Sequence, residues 1–248
     1  MKTFKARGVV LREVSVGEAD KIAVLLLKGR GKLGVSAKGA RRSGSKFLAA
    51  TQLFTYSDFV ITQGANFFAL AQTDVIESFY GLCTSVEQLS AASLLAKLCD
   101  RVILEQEPCD DILRLLIYGF NALCKAKPPE LVTAAFSLKF LEYSGLAPSF
   151  DVCSVCQKRL TGADAGKRGL YPAGLHGIIC ADCVRTAGNP QFWLPENTRR
   201  AGEYVIAARA GGVFSFEASP QVLAQLESYA DYLLESHFDT NIPIFSPR

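Results

Sequence analysis

Residues 22–37 read IAVLLLKGRGKLGVSA, two apolar runs on either side of a Lys28-Gly-Arg-Gly-Lys32 turn. By letter, Gly29, Gly31 and Gly34 match the G-x-G-x-x-G dinucleotide fingerprint, which needs a helix after it because pyrophosphate sits on that helix's N-terminus. Here Val35-Ser36-Ala37-Lys38 continues as a second strand, so the glycines belong to a hairpin turn. A second near-match fails as well. Gly39 and Gly44 have P-loop separation, but Ser45 precedes Lys46 where the motif needs Gly-Lys-Ser/Thr, and ATP binding is not expected.

Working outward from that hairpin, short apolar runs separated by Gly and polar turns recur at Gly8–Leu11, Ile22–Leu27, Leu33–Ala37, Phe54–Ile61 and Phe67–Ala71. Five strands in so short a span suit a small closed or partly open barrel, either an OB-fold, which binds single-stranded nucleic acid, or an SH3-like barrel. From Val86 the period becomes helical. Leu89, Ala92, Leu95, Leu98 and Val102 form one stripe, and Ile112, Leu115, Leu116, Phe120 and Leu123 a second. A third helix begins after Pro128 and Pro129 and stops near Gly145 and Pro148. A weaker one covers Thr198 to Ala210, and Ser219-Pro220 opens the last, with Val222, Leu223, Leu226, Tyr229 and Leu233 on its buried stripe. The fold class is therefore multidomain α+β: an OB-fold barrel over residues 1–80, a helical domain over 81–150 and 190–248, and a module inserted at 151–189.

That module carries the sharpest chemical motif. Cys153-Ser-Val-Cys156 is followed after a Gly-rich stretch by Cys180-Ala-Asp-Cys183. A two-residue spacer places both sulfurs of each pair on one side of a tight turn, so four thiolates converge on one tetrahedral ion. The expectation is one structural zinc, against the alternative of two redox dithiols. Four sulfurs leave no open coordination position, so the ion stabilises a segment with too little core of its own and does not catalyse. Gly162, Gly166, Gly169, Pro172, Gly174 and Gly177 suit a loop and a short hairpin between the knuckles. His176 reads as a loop residue. Cys83, Cys99, Cys109 and Cys124 lack knuckle spacing and read as buried free thiols.

The chain has 248 residues, 49% of them hydrophobic, and a formal net charge of +3, with a mean hydropathy of +0.18. It can bury a sizeable core, and no apolar run approaches a membrane span. With no secretory segment at the N-terminus and cysteines suited to a metal, a cytoplasmic, reduced setting is expected. Charge is unevenly spread. The first fifty residues hold 12 of the 27 Lys and Arg against only Glu13, Glu18 and Asp20. A block of one sign this strong has a polyanion as its natural counter-surface. Lys21, Arg30, Lys32, Lys38, Arg41, Arg42 and Lys46 cluster around the turns flanking the third strand and are the candidate DNA-binding residues, the alternative being a solvated surface. Tyr56, Phe54 and Phe59 either stack on bases or fill the barrel, with Phe54 placed in the core. Catalytic residues are not expected: the two histidines, His176 and His237, stand in no catalytic pattern, and the acidic residues are spaced as solvated faces.

Gly8-Val-Val-Leu-Arg12, Gly17-Glu-Ala-Asp-Lys21, Gly31-Lys32, Ala37-Lys-Gly-Ala-Arg-Arg42 and Gln52-Leu-Phe54, with the four-cysteine insert, resemble the bacterial DNA repair and recombination mediator family RecO. The resemblance spans the whole chain in order. It implies a non-enzymatic protein, cytoplasmic and nucleoid-associated, whose OB-fold binds single- and double-stranded DNA and anneals complementary strands. It also implies cooperation with RecR in loading RecA onto DNA coated by single-stranded-DNA-binding protein. The tail of that coating protein is expected to dock on the helical domain, with no motif here to transfer its contacts. The C-terminal His237-Phe-Asp-Thr-Asn-Ile-Pro-Ile-Phe lacks the basic run of some relatives. The competing class is a zinc-containing adaptor whose basic lobe faces an acidic partner protein, and a third is a metal-dependent nuclease or dithiol enzyme.

Overall fold

The computed structural model describes residues 2–65, 67–164, 169–187 and 190–238; Gly166 and the chain beyond Phe238, with its missing basic run, lie outside the described residues. The chain divides into two compact units, Met1–Ala126 and Lys127–Arg248.

In the first unit, β1 (Lys2–Val16), β2 (Asp20–Leu27), β3 (Gly31–Ala37), β4 (Tyr56–Gln63) and β5 (Phe68–Glu77) close a barrel in the order β1-β2-β3-β5-β4. This is the five-stranded OB-type barrel anticipated from the short runs. The β2–β3 hairpin is antiparallel, with Leu27 opposite Gly31. Closure comes from the parallel pairing of Ser36 on β3 with Ala69 on β5. β1 is far longer than its apolar signature because it serves two neighbours, β4 along Lys2–Val9 and β2 along Gly8–Val16. At the changeover Gly8 is required, since a Cβ there would lie 2.2 Å from the Leu26 carbonyl oxygen. Inward residues Val10, Ala23, Leu25, Leu27, Leu33, Val35, Phe59, Ile61 and Leu70 form the barrel core.

β2 reads as an unbroken apolar run because its outward residues Val24 and Leu26 are buried as well. They lie on the side covered by α1 (Val86–Val102) and α2 (Asp110–Cys124), which pack on β1 and β2. Phe54 and Phe79 meet Phe120 of α2 edge-on at centroid distances of 5.1 and 5.4 Å. The cut at Ala126 thus differs from a scheme grouping residues 81–150 with the later helices. The apolar stripes of α1 and α2 find their burial on the barrel.

The second unit combines α3 (Pro129–Tyr143), α5 (Glu196–Ala207) and α6 (Pro220–Phe238) with a small sheet of β6 (Leu170–Gly174), β7 (Gly177–Ile178) and β8 (Phe192–Pro195), in the order β7-β6-β8, and the short helix α4 (Ala181–Ala187). α3 is buried from Leu131 to Leu141 on every side, with α5 and α6 against it. α6 buries Leu223, Leu226, Tyr229, Ala230, Leu233 and Leu234, close to the anticipated stripe. Among the described residues no helix is long and apolar enough to cross a membrane.

Candidate nucleic-acid interface and metal centre

The segment after β3 is a succession of tight turns whose backbone bonds run Ala40 to Ala37, Arg42 to Gly39, Ser45 to Arg42 and Leu48 to Ser45. Its inner side is nailed to the barrel core by Ala40, Phe47 and Ala50. Its outer side presents Lys38, Arg41, Arg42 and Lys46, all exposed. The β1–β2 turn holds the loop in place. Asp20 Oδ1 accepts the Gly39 N–H at 2.7 Å, the Ala19 carbonyl accepts the Arg41 N–H at 2.9 Å, and the Arg41 guanidinium donates to the Gly17 carbonyl at 3.0 Å. Lys46 Nζ reaches the Ala71 carbonyl at 3.1 Å on β5. None of these four cations pairs with a carboxylate among the described residues. Asp20 as the loop's anchor was not foreseen; an acidic residue inside a basic block was its only sign.

The other three candidates sit elsewhere. Lys21 is only 9% exposed and bonds to Glu13 across the β1–β2 hairpin. Lys32 turns to α1, where its Nζ donates to the Asp100 carbonyl oxygen and lies 3.6 Å from its carboxylate. The same carboxylate takes Arg12 at 2.7 Å. Asp100 therefore ties α1 to both β1 and β3. Arg30 occupies the β2–β3 turn, at the opposite end of β3 from Lys38, a seven-residue strand of roughly 23 Å. Arg7 also belongs to the first-fifty block and pairs with Asp58 at 2.9 Å, its hydrogen bond holding that carboxyl below the usual range. Ion pairs account for four cations, and the turn after β3 collects four that have no carboxylate partner among the described residues. Of the aromatics considered for stacking, Phe54 and Phe59 are buried and only Tyr56 is partly exposed.

The four cysteines of the two knuckles converge. The sulfurs of Cys153, Cys156, Cys180 and Cys183 all lie within 4.8 Å of one another. Cys156 and Cys180 Sγ are 3.8 Å apart, matching the roughly 3.8 Å edge of a sulfur tetrahedron around an ion with 2.3 Å bonds. The first knuckle turns through a left-handed Gln157, whose N–H donates to the Cys153 carbonyl at 2.9 Å. The second opens α4, with Cys183 N–H on the Cys180 carbonyl at 3.1 Å. Burial pushes the Cys153 thiol up, but backbone N–H groups of Cys156, Cys180 and Val155 outweigh it and bring it down to about 6. Hydrogen bonding to the Cys180 and Cys156 sulfurs pushes Cys183 up to about 12. Four sulfurs this close together are a metal-binding arrangement, and these residues can hold a metal ion. His176 is exposed in the β6–β7 turn and stands outside the cluster. Cys99 is buried, and burial raises its thiol well above the ordinary value; burial likewise takes Cys109 up to about 11. Of the four thiols expected to be buried, Cys99 alone is fully so; Cys109 and Cys124 are partly buried and Cys83 is exposed.

Comparison with known proteins gives one family for both halves of the chain. The family pattern described as "Recombination protein O N terminal" matches residues 1–79, and "Recombination protein O C terminal" matches residues 83–243. A DNA repair protein RecO from Acetivibrio thermocellus is 30% identical over 243 residues, covering 97% of this chain and 94% of the relative. Those from Alkaliphilus metalliredigens and Thermoanaerobacter sp. are 31% and 32% identical, over 95% and 96% of this chain and 94% of each relative. With both halves matched in order and the barrel in place, the chain belongs to the Recombination protein O family of DNA repair proteins.

Proposed function

We propose that this chain is a non-enzymatic recombination mediator that binds single- and double-stranded DNA through Lys38, Arg41, Arg42 and Lys46, with Arg30 as an outlying contact. It anneals complementary strands and, with RecR, helps load RecA onto DNA coated by single-stranded-DNA-binding protein. The observation that carries this reading is the exposed turn after β3, which brings four carboxylate-free cations together on a rigid mount. Mounted cations neutralise phosphates and release counterions, which lowers the repulsion between two strands brought side by side. Backbone N–H groups and the forked guanidinium groups of Arg41 and Arg42 suit phosphate oxygens and carry no base preference. Lys21 and Lys32, drawn into ion pairs, hold the barrel and its helix together and drop out of the DNA surface. In the second unit the four cysteines hold one zinc ion, whose role is to fold the module.

A salt titration tests the reading. Four phosphate contacts predict a log–log slope near −3 for single strands, from about −0.7 per phosphate. Reversing Lys38, Arg41 and Arg42 to Glu is expected to lower affinity more than tenfold and flatten the slope by about 2. Salt-independent binding overturns the electrostatic account. Unchanged DNA affinity in the triple variant, coupled with lost binding to an acidic protein partner, favours the adaptor class instead.

A further inference from the structure

The Gly29-Arg30-Gly31 turn, which is no dinucleotide fingerprint, has a different use. Both glycines adopt left-handed backbone, with φ of 67° and 68°. A Cβ on Gly31 would sit 2.0 Å from the Glu107 carbonyl oxygen, so this glycine lets the 104–108 segment lie directly against the turn. That segment is fastened there by the Gln106 N–H to the Lys32 carbonyl at 3.0 Å and by a parallel bridge between Lys32 and Glu105. Asp110 Oδ1 takes the Gly29 N–H at 2.6 Å. Arg30 is thereby fixed from both sides and projects over the Phe4 ring, with Cζ 4.3 Å from its centroid.

Beside it opens a cleft of about 180 Å³ lined by Phe4, Arg30, Leu33, Gln63, Phe68 and Gln106. Phe4 and Phe68 are half-buried and meet edge-on at 6.4 Å. Gln63 and Gln106 are exposed at its mouth, and Gln106 holds a left-handed backbone at φ 61°, a conformation a side chain adopts at a cost and often where a ligand is met. The set is two aromatic rings, a planar guanidinium and two carboxamides. That chemistry matches a nucleobase: rings and guanidinium for its faces, amides that donate and accept for its edge. Glu105 and Glu107, exposed on either side of Gln106, disfavour a phosphate at the same spot and so favour a base pointing inward.

We propose that this cleft seats one unstacked base of a single strand whose phosphates continue toward the basic turn at the far end of β3. The inference rests on the DNA-binding reading above and adds a base site to it. The test is the ratio of affinities for an oligothymidylate and for an abasic oligomer of the same length and charge. One seated base is worth about 1–3 kcal/mol, so the full chain is expected to prefer the base-bearing strand on the order of tenfold. Arg30→Lys keeps the charge but loses the planar fork, and Gln63→Ala removes one carboxamide. Each is expected to shrink the ratio at least threefold. The Lys38, Arg41 and Arg42 reversal is expected to weaken both strands alike and leave the ratio intact. Equal affinity for the two oligomers, or a ratio unmoved by Arg30→Lys and Gln63→Ala, overturns the base site while the phosphate reading stands. Failure to bind either oligomer overturns both.

Discussion

The barrel and the cysteine module solve the same problem, burying enough surface to hold a chain in one shape, with different materials. The barrel core draws on Leu25, Leu27, Leu33, Val35, Phe59, Ile61 and Leu70, and a second apolar layer under α1 and α2 covers Val24 and Leu26. Around the knuckles the fully buried side chains are few, among them Tyr171, Ala173, Ile178, Cys153 and Cys180, while Cys156 is exposed and Cys183 partly so. Apolar area stabilises at about 25 cal/mol per Å², which the barrel has in quantity and the module lacks. On the zinc proposal above, the ion supplies what the module lacks, beside a few placed polar bonds such as Asp164 accepting from Lys158, Thr161 N–H and Thr161 Oγ1.

The largest effect is expected from breaking that contrast at the metal. Chelation, or Cys153→Ser, is expected to cost the second unit on the order of 5 kcal/mol or more, since binding energy at such sites is folding energy. Hydrogen exchange would show it as lost amide protection between Val152 and Leu194 with the barrel strands still protected. Equal loss in both regions would erase the distinction. Next in size is the converse substitution, Leu25→Ala. Leu25 is fully buried, and its truncation is expected to cost about 2–5 kcal/mol. Denaturant unfolding followed on the barrel should report that loss identically with and without chelator.

How much of this was legible in the sequence depends on how far apart the cooperating residues stand. Period-two runs such as Leu33-Gly-Val-Ser-Ala37 expose a strand directly, and Cys-x-x-Cys pairs expose a metal site, because each signal lies within a few residues. β1 was legible only at Gly8–Leu11, since its flanks Lys2–Arg7 and Arg12–Val16 are largely exposed and owe their extended form to pairing with β4 and β2. β6 carries Pro172 and ends in Gly174, and tertiary pairing with β8 overrides what those residues prefer. The basic block was legible as a block, whereas its division into working and structural cations was not. Lys32 finds Asp100 68 residues away, and no local pattern announces such a partner.

That division gives a smaller prediction. Lys32→Met leaves Asp100 still paired with Arg12 at 2.7 Å and keeps an apolar stem of similar length. It is expected to destabilise the barrel by about 1 kcal/mol and to change DNA affinity less than twofold, although it removes a positive charge from the block. A loss matching that of a Lys38 substitution would show that net charge, and not the mounted turn, governs binding.

A further expected shift concerns polarity inside the second unit, and it has a definite sign. Asp231 on α6 has a buried Oδ1 without a hydrogen-bond partner. Burial, reinforced by the charges of Glu227 and Glu235 one turn away on either side, pushes its carboxyl up to about 8. An acid whose folded value is raised binds its proton more tightly folded than unfolded, so stability falls as pH climbs from the ordinary carboxyl range through 8. Asp231→Asn removes the ionisation and keeps the shape. It is expected to leave stability near pH 4 almost unchanged and to raise it by about 1–3 kcal/mol or more above pH 8, the cost of an unsatisfied buried group. Thermal melts at the two pH values measure the difference. A variant that parallels the parent chain at both would mean that Asp231 finds water or a partner, and that the helical part of this unit tolerates charge as readily as the barrel surface does.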